Sequence, residues 1–140
     1  MDTRGHWEHF EHVADIGVRG LGPTAAEAFA QAALALTALI VDPRAVESRE
    51  RVTVDLEGAD LDYLFYDWIN ALVYTMATRH MLFGRFEVEI QDGRLHATAW
   101  GEPLDRARHQ PVVEVKGATL TELAVREENG QWLAQCVVDV

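Results

Sequence analysis

The feature that most constrains the fold is a long apolar stripe in the middle of the chain. Its members recur at spacings of three and four residues, which is the period of an amphipathic α-helix. They are Leu61, Leu64, Phe65, Trp68, Ile69, Leu72, Val73 and Met76. Asp60 and Asp62 stand at the start of the stripe, where carboxylates interact favourably with the helix dipole. The pattern predicts a helix with one face buried against other elements.

The rest of the chain predicts one more helix and several strands. Thr24 and Glu27 form a capping-box pattern, and Asp42 before Pro43 ends the apolar periodicity that follows. The pairs Asp92-Gly93 and Asn129-Gly130 lie between extended runs and are typical of two-residue hairpins. This order predicts an α+β fold, with two helices packed on largely antiparallel sheet, in a single domain over residues 1–140.

Charge and cysteine content narrow the function classes. The 140 residues include 12 Lys and Arg against 23 Asp and Glu, a formal net charge of −11. Such a chain is unsuited to gripping nucleic-acid phosphates, and it suits cations or a basic protein surface better. A single cysteine, Cys136, excludes a disulfide framework and a zinc site of several thiolates. With no apolar signal core and no span-length apolar run, we expect a cytoplasmic protein with a reduced thiol.

Several common catalytic motifs are missing from the sequence. It contains no G-x-x-x-x-G-K-[ST], G-x-G-x-x-G, H-E-x-x-H or G-x-S-x-G motif, and its only serine is Ser48. His6, His9 and His12 alternate along an extended segment, so His9 points away from the other two. Three histidines on one regular strand therefore do not form one metal site, and a partly exposed terminal strand is the simpler interpretation.

Two acids lie in apolar runs near the two ends of the chain. Asp15 interrupts the run that begins at Val13, and Asp139 lies one residue before the terminal Val140. A buried carboxylate needs a partner, so each is either solvent-facing or paired with a cation. If the terminus is ordered, Asp139 and the Val140 carboxylate supply the oxygen ligands that Mg²⁺, Ca²⁺ or Mn²⁺ prefers.

Two further groups of polar residues are candidates for function. Glu102, Asp105 and His109 are predicted to occupy a polar loop after a hairpin. Lys116 is the only lysine in the chain. Lone charges of this kind are usually solvated, but an isolated ammonium in an acidic protein can also contact a phosphate or a carboxylate.

Taken together, these stretches resemble the archease family. Its H-[T]-A-D-[IV]-G motif is matched by residues 12–17, and its G-E-x-x-D motif with a nearby His by residues 101–109. The E-V-K-x-x-T motif is matched by residues 114–119, and the final Asp plus aliphatic residue by Asp139 and Val140. The resemblance covers nearly the whole chain. Two positions depart from it: Val13 replaces the usual Thr, and Thr121 stands where the family often has His.

The resemblance implies a non-enzymatic partner of an RtcB-type RNA ligase, which joins a 3′-phosphate or 2′,3′-cyclic phosphate end to a 5′-hydroxyl end. In that family the protein promotes guanylylation and multiple turnover of the ligase, in tRNA splicing or RNA repair. The implied metal ligands are Asp15, Asp139 and Val140, with Lys116 as a functional base. The further functional positions are His12, Glu102, Asp105 and His109.

Two other function classes stay open at the level of sequence. A chaperone-like modulator of a tRNA-modifying enzyme, such as a methyltransferase, would need a docking surface but no metal. A stand-alone metal-dependent hydrolase would need a base beside the metal, for which His12 is the only neighbouring candidate in the sequence. The metal hypothesis itself requires the first and last strands to meet.

Overall fold

The computed structural model describes residues 5–12 and 15–140. Two helices and a short third one are interleaved with eight strands, and a single 3₁₀ turn follows the first helix. In chain order the elements are β1 (His6–His12), β2 (Asp15–Gly22), α1 (Ala25–Ile40), the 3₁₀ turn (Pro43–Ala45), β3 (Glu50–Glu57), α2 (Leu61–Arg79), β4 (Met81–Gln91), β5 (Arg94–Pro103), α3 (Arg106–His109), β6 (Gly117–Ala118), β7 (Ala124–Glu128) and β8 (Gln131–Asp139).

The strands form two antiparallel sheets. In the five-stranded sheet the order is β1-β2-β8-β6, and β7 also pairs with β8. The order in the three-stranded sheet is β3-β5-β4. The N-terminal extended segment is therefore two paired strands, and the last strand lies at the centre of its sheet. The predicted α+β class is confirmed, with the sheet divided in two.

One hydrophobic core joins both sheets to the two long helices. It contains Val18 and Cys136 from the five-stranded sheet and Val54 and Leu95 from the three-stranded sheet. At its centre the indole Nε1 of Trp68 donates a hydrogen bond to a backbone carbonyl of α1 at 3.0 Å, which satisfies the buried polar atom of that side chain. The apolar stripe of α2 therefore faces the core as its periodicity predicts.

Local sequence signals begin and end these elements as expected. The hydroxyl oxygen of Thr24 accepts a hydrogen bond from the Glu27 amide at 3.1 Å, which caps α1. Asp60 caps α2 in the same way. Both predicted hairpin turns have the positive φ angles of a type I′ turn, with values of 52° and 74° at residues 92 and 93.

A close approach between β2 and α1 depends on Gly20. A Cβ at this position would overlap the carbonyl oxygen of Ala28 and the amide nitrogen of Ala32. Any larger residue would therefore push the helix away from the sheet, and the glycine allows α1 to lie directly on β2. This contact fixes the strand that carries Asp15.

The region predicted as a polar loop is instead ordered and partly buried, so that prediction is wrong. Glu102 belongs to β5 and is 1% exposed, and the side chain of His109 is fully buried at the end of α3. The prediction failed because polar residue types were taken to mean solvent exposure, whereas these side chains satisfy one another.

The single cysteine of the sequence, Cys136, is buried in the core and forms no disulfide. Burial raises the pKa of the Cys136 thiol to about 12, so the thiol stays protonated at neutral pH and is a poor metal ligand or nucleophile.

Within residues 5–12 and 15–140, no helix has the length and apolar character needed to cross a membrane.

Candidate functional site

The strand that carries Asp15 meets the last strand of the chain, as a shared cation requires, but the pair is β2 and β8 and not the first and last strands. His12 in β1 is paired with Asp15 in β2, and the register between β2 and β8 places Ile16 opposite Val138. One residue further along that antiparallel register, Asp15 stands opposite Asp139. The three residues His12, Asp15 and Asp139 therefore form a row across three neighbouring strands, which we call the acidic row.

The acidic row lies on the face of the sheet that points away from α1. Residues directly opposite each other in a sheet share a face, and the faces alternate along a strand. Val18 and Cys136, one such pair, are fully buried in the core, whereas Arg19 and its partner Gln135 lie on the other face, where the Arg19 Nε donates to the Gln135 Oε1 at 2.8 Å. Residue 15 has the same parity as Arg19, and Asp15 and Asp139 are both exposed.

The end of β8 is held in place from its other side. The Lys116 amide donates to the Asp139 carbonyl at 2.8 Å, and the amide and hydroxyl of Thr119 both donate to the Val137 carbonyl at 2.9 Å. The Val137 amide donates to the Thr121 carbonyl at 3.0 Å. The backbone of Thr121 makes this last bond, so the departure from the family's His at this position leaves it intact.

The backbone of Lys116 lies next to the acidic row in space, because its amide bonds to the Asp139 carbonyl. It precedes Gly117, which is paired with Asp139, and its side chain is exposed. Val140, the last residue of the sequence, is also exposed, at 43%. The end of the sheet thus places the backbone of the only lysine in the chain beside Asp139, in line with Asp15.

The donor set of the acidic row fits a hard divalent cation. Carboxylate oxygens are the preferred ligands of Mg²⁺, Ca²⁺ and Mn²⁺. In addition, the Nδ1 atom of His12 is buried and has no hydrogen-bond partner among the described residues, a costly state that a nearby cation or water would relieve. Within the described ranges, no three His, Cys, Asp or Glu side chains are already gathered around one point. Asp15 and Asp139 would therefore need the Val140 carboxylate or water to complete a coordination shell.

The other histidines of β1 are used differently. The Nε2 atom of His9 is 2.8 Å from the Ala35 carbonyl oxygen and ties β1 to α1. His6 lies 3.4 Å from Glu8 on the exposed surface. His9 therefore faces away from His6 and His12, as the alternation predicts.

Glu102 is the centre of a second, buried polar cluster. Its Oε2 accepts hydrogen bonds from the Glu47 amide at 2.6 Å and from the Nε2 of His109 at 3.1 Å, and its Oε1 is paired with Arg108. The Nδ1 of His109 accepts from the Asp105 amide at 2.9 Å, so the ring proton is on Nε2 and points at the carboxylate. Asp105 caps α3 and so fixes the helix that carries both partners.

The pKa of Glu102 reflects the balance of burial and hydrogen bonding. Burial alone would raise this pKa, but hydrogen bonds from the Glu47 amide, His109 and Arg108 outweigh it. The result is a pKa of about 2, well below the ordinary value of 4.5. Glu102 therefore stays ionised at neutral pH, and the cluster serves to fix β5 to α3.

The predicted site residues thus divide into two groups. Asp15, Asp139 and His12 are brought together with Lys116 at the end of the five-stranded sheet, whereas the Glu102 cluster belongs to the three-stranded sheet. No hydrogen bond or ion pair between described residues links the two groups. Sequence analysis missed Asn70, whose Oδ1 accepts the Ala118 amide at 2.9 Å and anchors β6 beside Asp139. A polar residue beside the apolar stripe of α2 was the available signal.

Comparisons with known proteins identify the family of the chain. The model of the Archease protein family (MTH1598/TM1083) matches residues 7–140. Protein archease from Pyrococcus furiosus is 41% identical over 139 residues, covering 96% of this chain and 98% of that protein. Protein archease from Methanopyrus kandleri is 38% identical, covering 96% and 99% of the two chains.

Solved structures show the same fold. A solution structure of a Methanobacterium thermoautotrophicum protein superposes with a TM-score of 0.85 at 31% identity, covering 96% of this chain and 98% of that one. A crystal structure from Thermotoga maritima, described as an archease and possible chaperone, has a TM-score of 0.63 at 18% identity, covering 95% and 96%. The latter supports the fold alone.

Proposed function

Because the chain belongs to the archease protein family, we propose that it activates an RtcB-type 3′-phosphate/5′-hydroxyl RNA ligase by promoting guanylylation and multiple turnover of that enzyme. Such a role would lie in tRNA splicing or RNA repair. The observation that carries the proposal is the acidic row, where both ends of the chain present carboxylates beside the only lysine.

The acidic row would hold a divalent cation through Asp15, Asp139 and the Val140 carboxylate. When bound, such a cation supplies positive charge that can attract a phosphate oxygen or an acidic side chain of the ligase. The chain's own contribution is to order these carboxylates. It does so through the β2–β8 pairing and through the hydrogen bonds that Lys116 and Thr119 donate to β8.

Lys116 would add a second positive charge, beside that of the cation, at the same end of the five-stranded sheet. Its backbone is fixed by the bond to Asp139, and its exposed ammonium can reach a phosphate group outside the protein. We assign no catalytic residue to the chain, because the ligase would carry out the chemistry. The net charge of −11 favours association with a basic enzyme surface and disfavours direct binding of RNA.

A ligation assay with excess substrate tests the proposal. The RtcB-type ligase of the same organism is supplied with GTP and an RNA pair bearing 2′,3′-cyclic phosphate and 5′-hydroxyl ends. We expect this chain to allow many cycles per ligase molecule and Asp139→Asn to reduce the rate towards that of the ligase alone. Asp92→Asn, in the exposed β4–β5 turn, is the matched control and should stimulate like the parent. Full stimulation by Asp139→Asn would overturn the proposal.

The second candidate is a chaperone-like modulator of a tRNA-modifying enzyme such as a methyltransferase. The Thermotoga maritima protein is itself described as a possible chaperone, but its similarity to this chain bears on the fold alone. Binding to a tRNA methyltransferase that persists in EDTA and in Asp15→Asn would favour this candidate, because no cation would then be needed.

A further inference from the structure

All three tyrosines of the chain project from one side of α2. They are Tyr63, Tyr66 and Tyr74, and the chain contains no others. Tyr63 is 58% exposed and Tyr74 is 69% exposed, so both present most of their large side chains to solvent. The opposite side of the helix packs in the core, and Tyr66 is only partly buried, so the packing of α2 rests mainly on its other side.

The tyrosines belong to a continuous stripe with a negative charge. Asp67 is exposed and lies one helical turn beyond Tyr63, and Asn70 lies one further turn along, before Tyr74. From its cap at Asp60 up to residue 78, the helix carries three aspartates and no Lys or Arg. We call Tyr63, Tyr66, Asp67 and Tyr74 the tyrosine stripe.

The tyrosine stripe adjoins the strand edge beside the acidic row. The Oδ1 of Asn70, which lies between Asp67 and Tyr74 along the helix, accepts a hydrogen bond from the Ala118 amide at 2.9 Å. Ala118 is paired with Val138 in β8, and the preceding residue is paired with Asp139. Nearer the start of the helix, Asp62 accepts the Val125 amide at 2.7 Å. One surface therefore runs from α2 across the β6 edge to the end of the chain.

We propose that the tyrosine stripe is the surface on which the ligase docks, and that the ligase meets it with an arginine-rich patch. This inference rests on the proposed function and adds the contact surface to it. Tyrosine and arginine are the residues that most often dominate protein interfaces, and a guanidinium stacks on an aromatic ring. Asp67 adds a complementary charge. The acidic helix would repel an RNA backbone, so a protein surface is the favoured occupant.

A binding titration tests the docking surface. The purified ligase is titrated with the parent chain, with Tyr63→Ala/Tyr74→Ala, and with Asp67→Lys. We expect the double variant to raise the Kd by at least about tenfold. Its circular dichroism and its affinity for Mn²⁺ should stay those of the parent, because alanine favours helix and the acidic row is untouched.

A matched charge reversal separates docking from general electrostatics. Glu50→Lys, at an exposed position of β3 in the other sheet, changes the net charge by the same amount as Asp67→Lys. We expect Asp67→Lys to weaken binding more than Glu50→Lys does. Equal weakening by the two variants would overturn the assignment, as would parent-like affinity of the tyrosine double variant.

The outcomes for this inference and for the proposed function are distinguishable. If the parent neither binds nor stimulates the ligase, both fail together. If the parent stimulates the ligase and the tyrosine double variant binds and stimulates as well, only the docking surface is wrong. If the stripe instead binds single-stranded RNA, with affinity lost in the tyrosine double variant, the protein docking surface is also overturned.

Discussion

The Nε2 of His109 donates a hydrogen bond to the Oε2 of Glu102 across 3.1 Å, and both side chains are buried. Together with Arg108 and the Glu47 amide, this bond stabilises the ionised form of Glu102 and lowers its pKa to about 2. The pKa of Glu102 is lower in the folded chain than its ordinary value of 4.5. The ionised carboxylate therefore makes its full contribution to stability above pH 4.5. The contribution should fall as the pH drops from 4.5 towards 2.

Glu102→Gln should therefore destabilise the protein by about 3 kcal/mol at neutral pH, because the buried histidine and arginine donors lose their charged acceptor. Urea denaturation at several pH values measures the free energy of unfolding. The difference from the parent should shrink as the pH falls towards 2, where the parent's carboxylate also becomes protonated. Glu87→Gln, at an exposed position of β4, is the control. An equal effect of the two substitutions would refute the stabilising role of the cluster.

Gly20→Ala should destabilise the fold by about 3 kcal/mol, since the added methyl group would overlap the backbone of α1. Gly58→Ala is the control, because its Cβ would lie 3.7 Å from the nearest atom of Leu64, an ordinary contact. The midpoint temperature of thermal unfolding measures the effect of each of the two substitutions. A parent-like midpoint for Gly20→Ala would show that α1 and β2 can separate at no cost.

Thr119→Val should loosen the end of β8, because it removes the hydroxyl that donates to the Val137 carbonyl at 2.9 Å. We expect a loss of about 1 kcal/mol in unfolding free energy. Amide hydrogen exchange at Val138 and Asp139 should become faster. Thr53→Val, at an exposed position of β3, is the control. Unchanged exchange at Asp139 would mean that this hydroxyl does not order the chain end.

The sequence predicts those parts of the fold that depend on near neighbours. The cap at Thr24, the acidic start of α2 and the turn at Asp92 depend on residues within three or four positions of one another, and all are found. The division into two sheets depends on pairings between distant segments, which local periodicity does not encode. Glu102 was misplaced for the same reason, since its burial depends on Glu47 from a distant part of the chain.

The sequence indicated which residues belong to the candidate site but not how they are arranged in space. Asp15 and Asp139 were candidates because each is an acid within an apolar run. The family resemblance then implied that both bind the same metal ion. Their meeting depends on the pairing of β2 with β8. The role of Asn70 in fixing β6 could not be predicted, because its partner is a backbone amide far along the chain.

The most direct test of the account is a calorimetric titration of Ca²⁺, Mg²⁺ and Mn²⁺ into the purified chain. We predict one site per chain for at least one of these ions, with affinity reduced by about tenfold or more in Asp15→Asn and in Asp139→Asn. Asp92→Asn should bind like the parent. Absence of binding to the parent, or parent-like affinity in both variants, would contradict the claim that the two ends of the chain form a cation site.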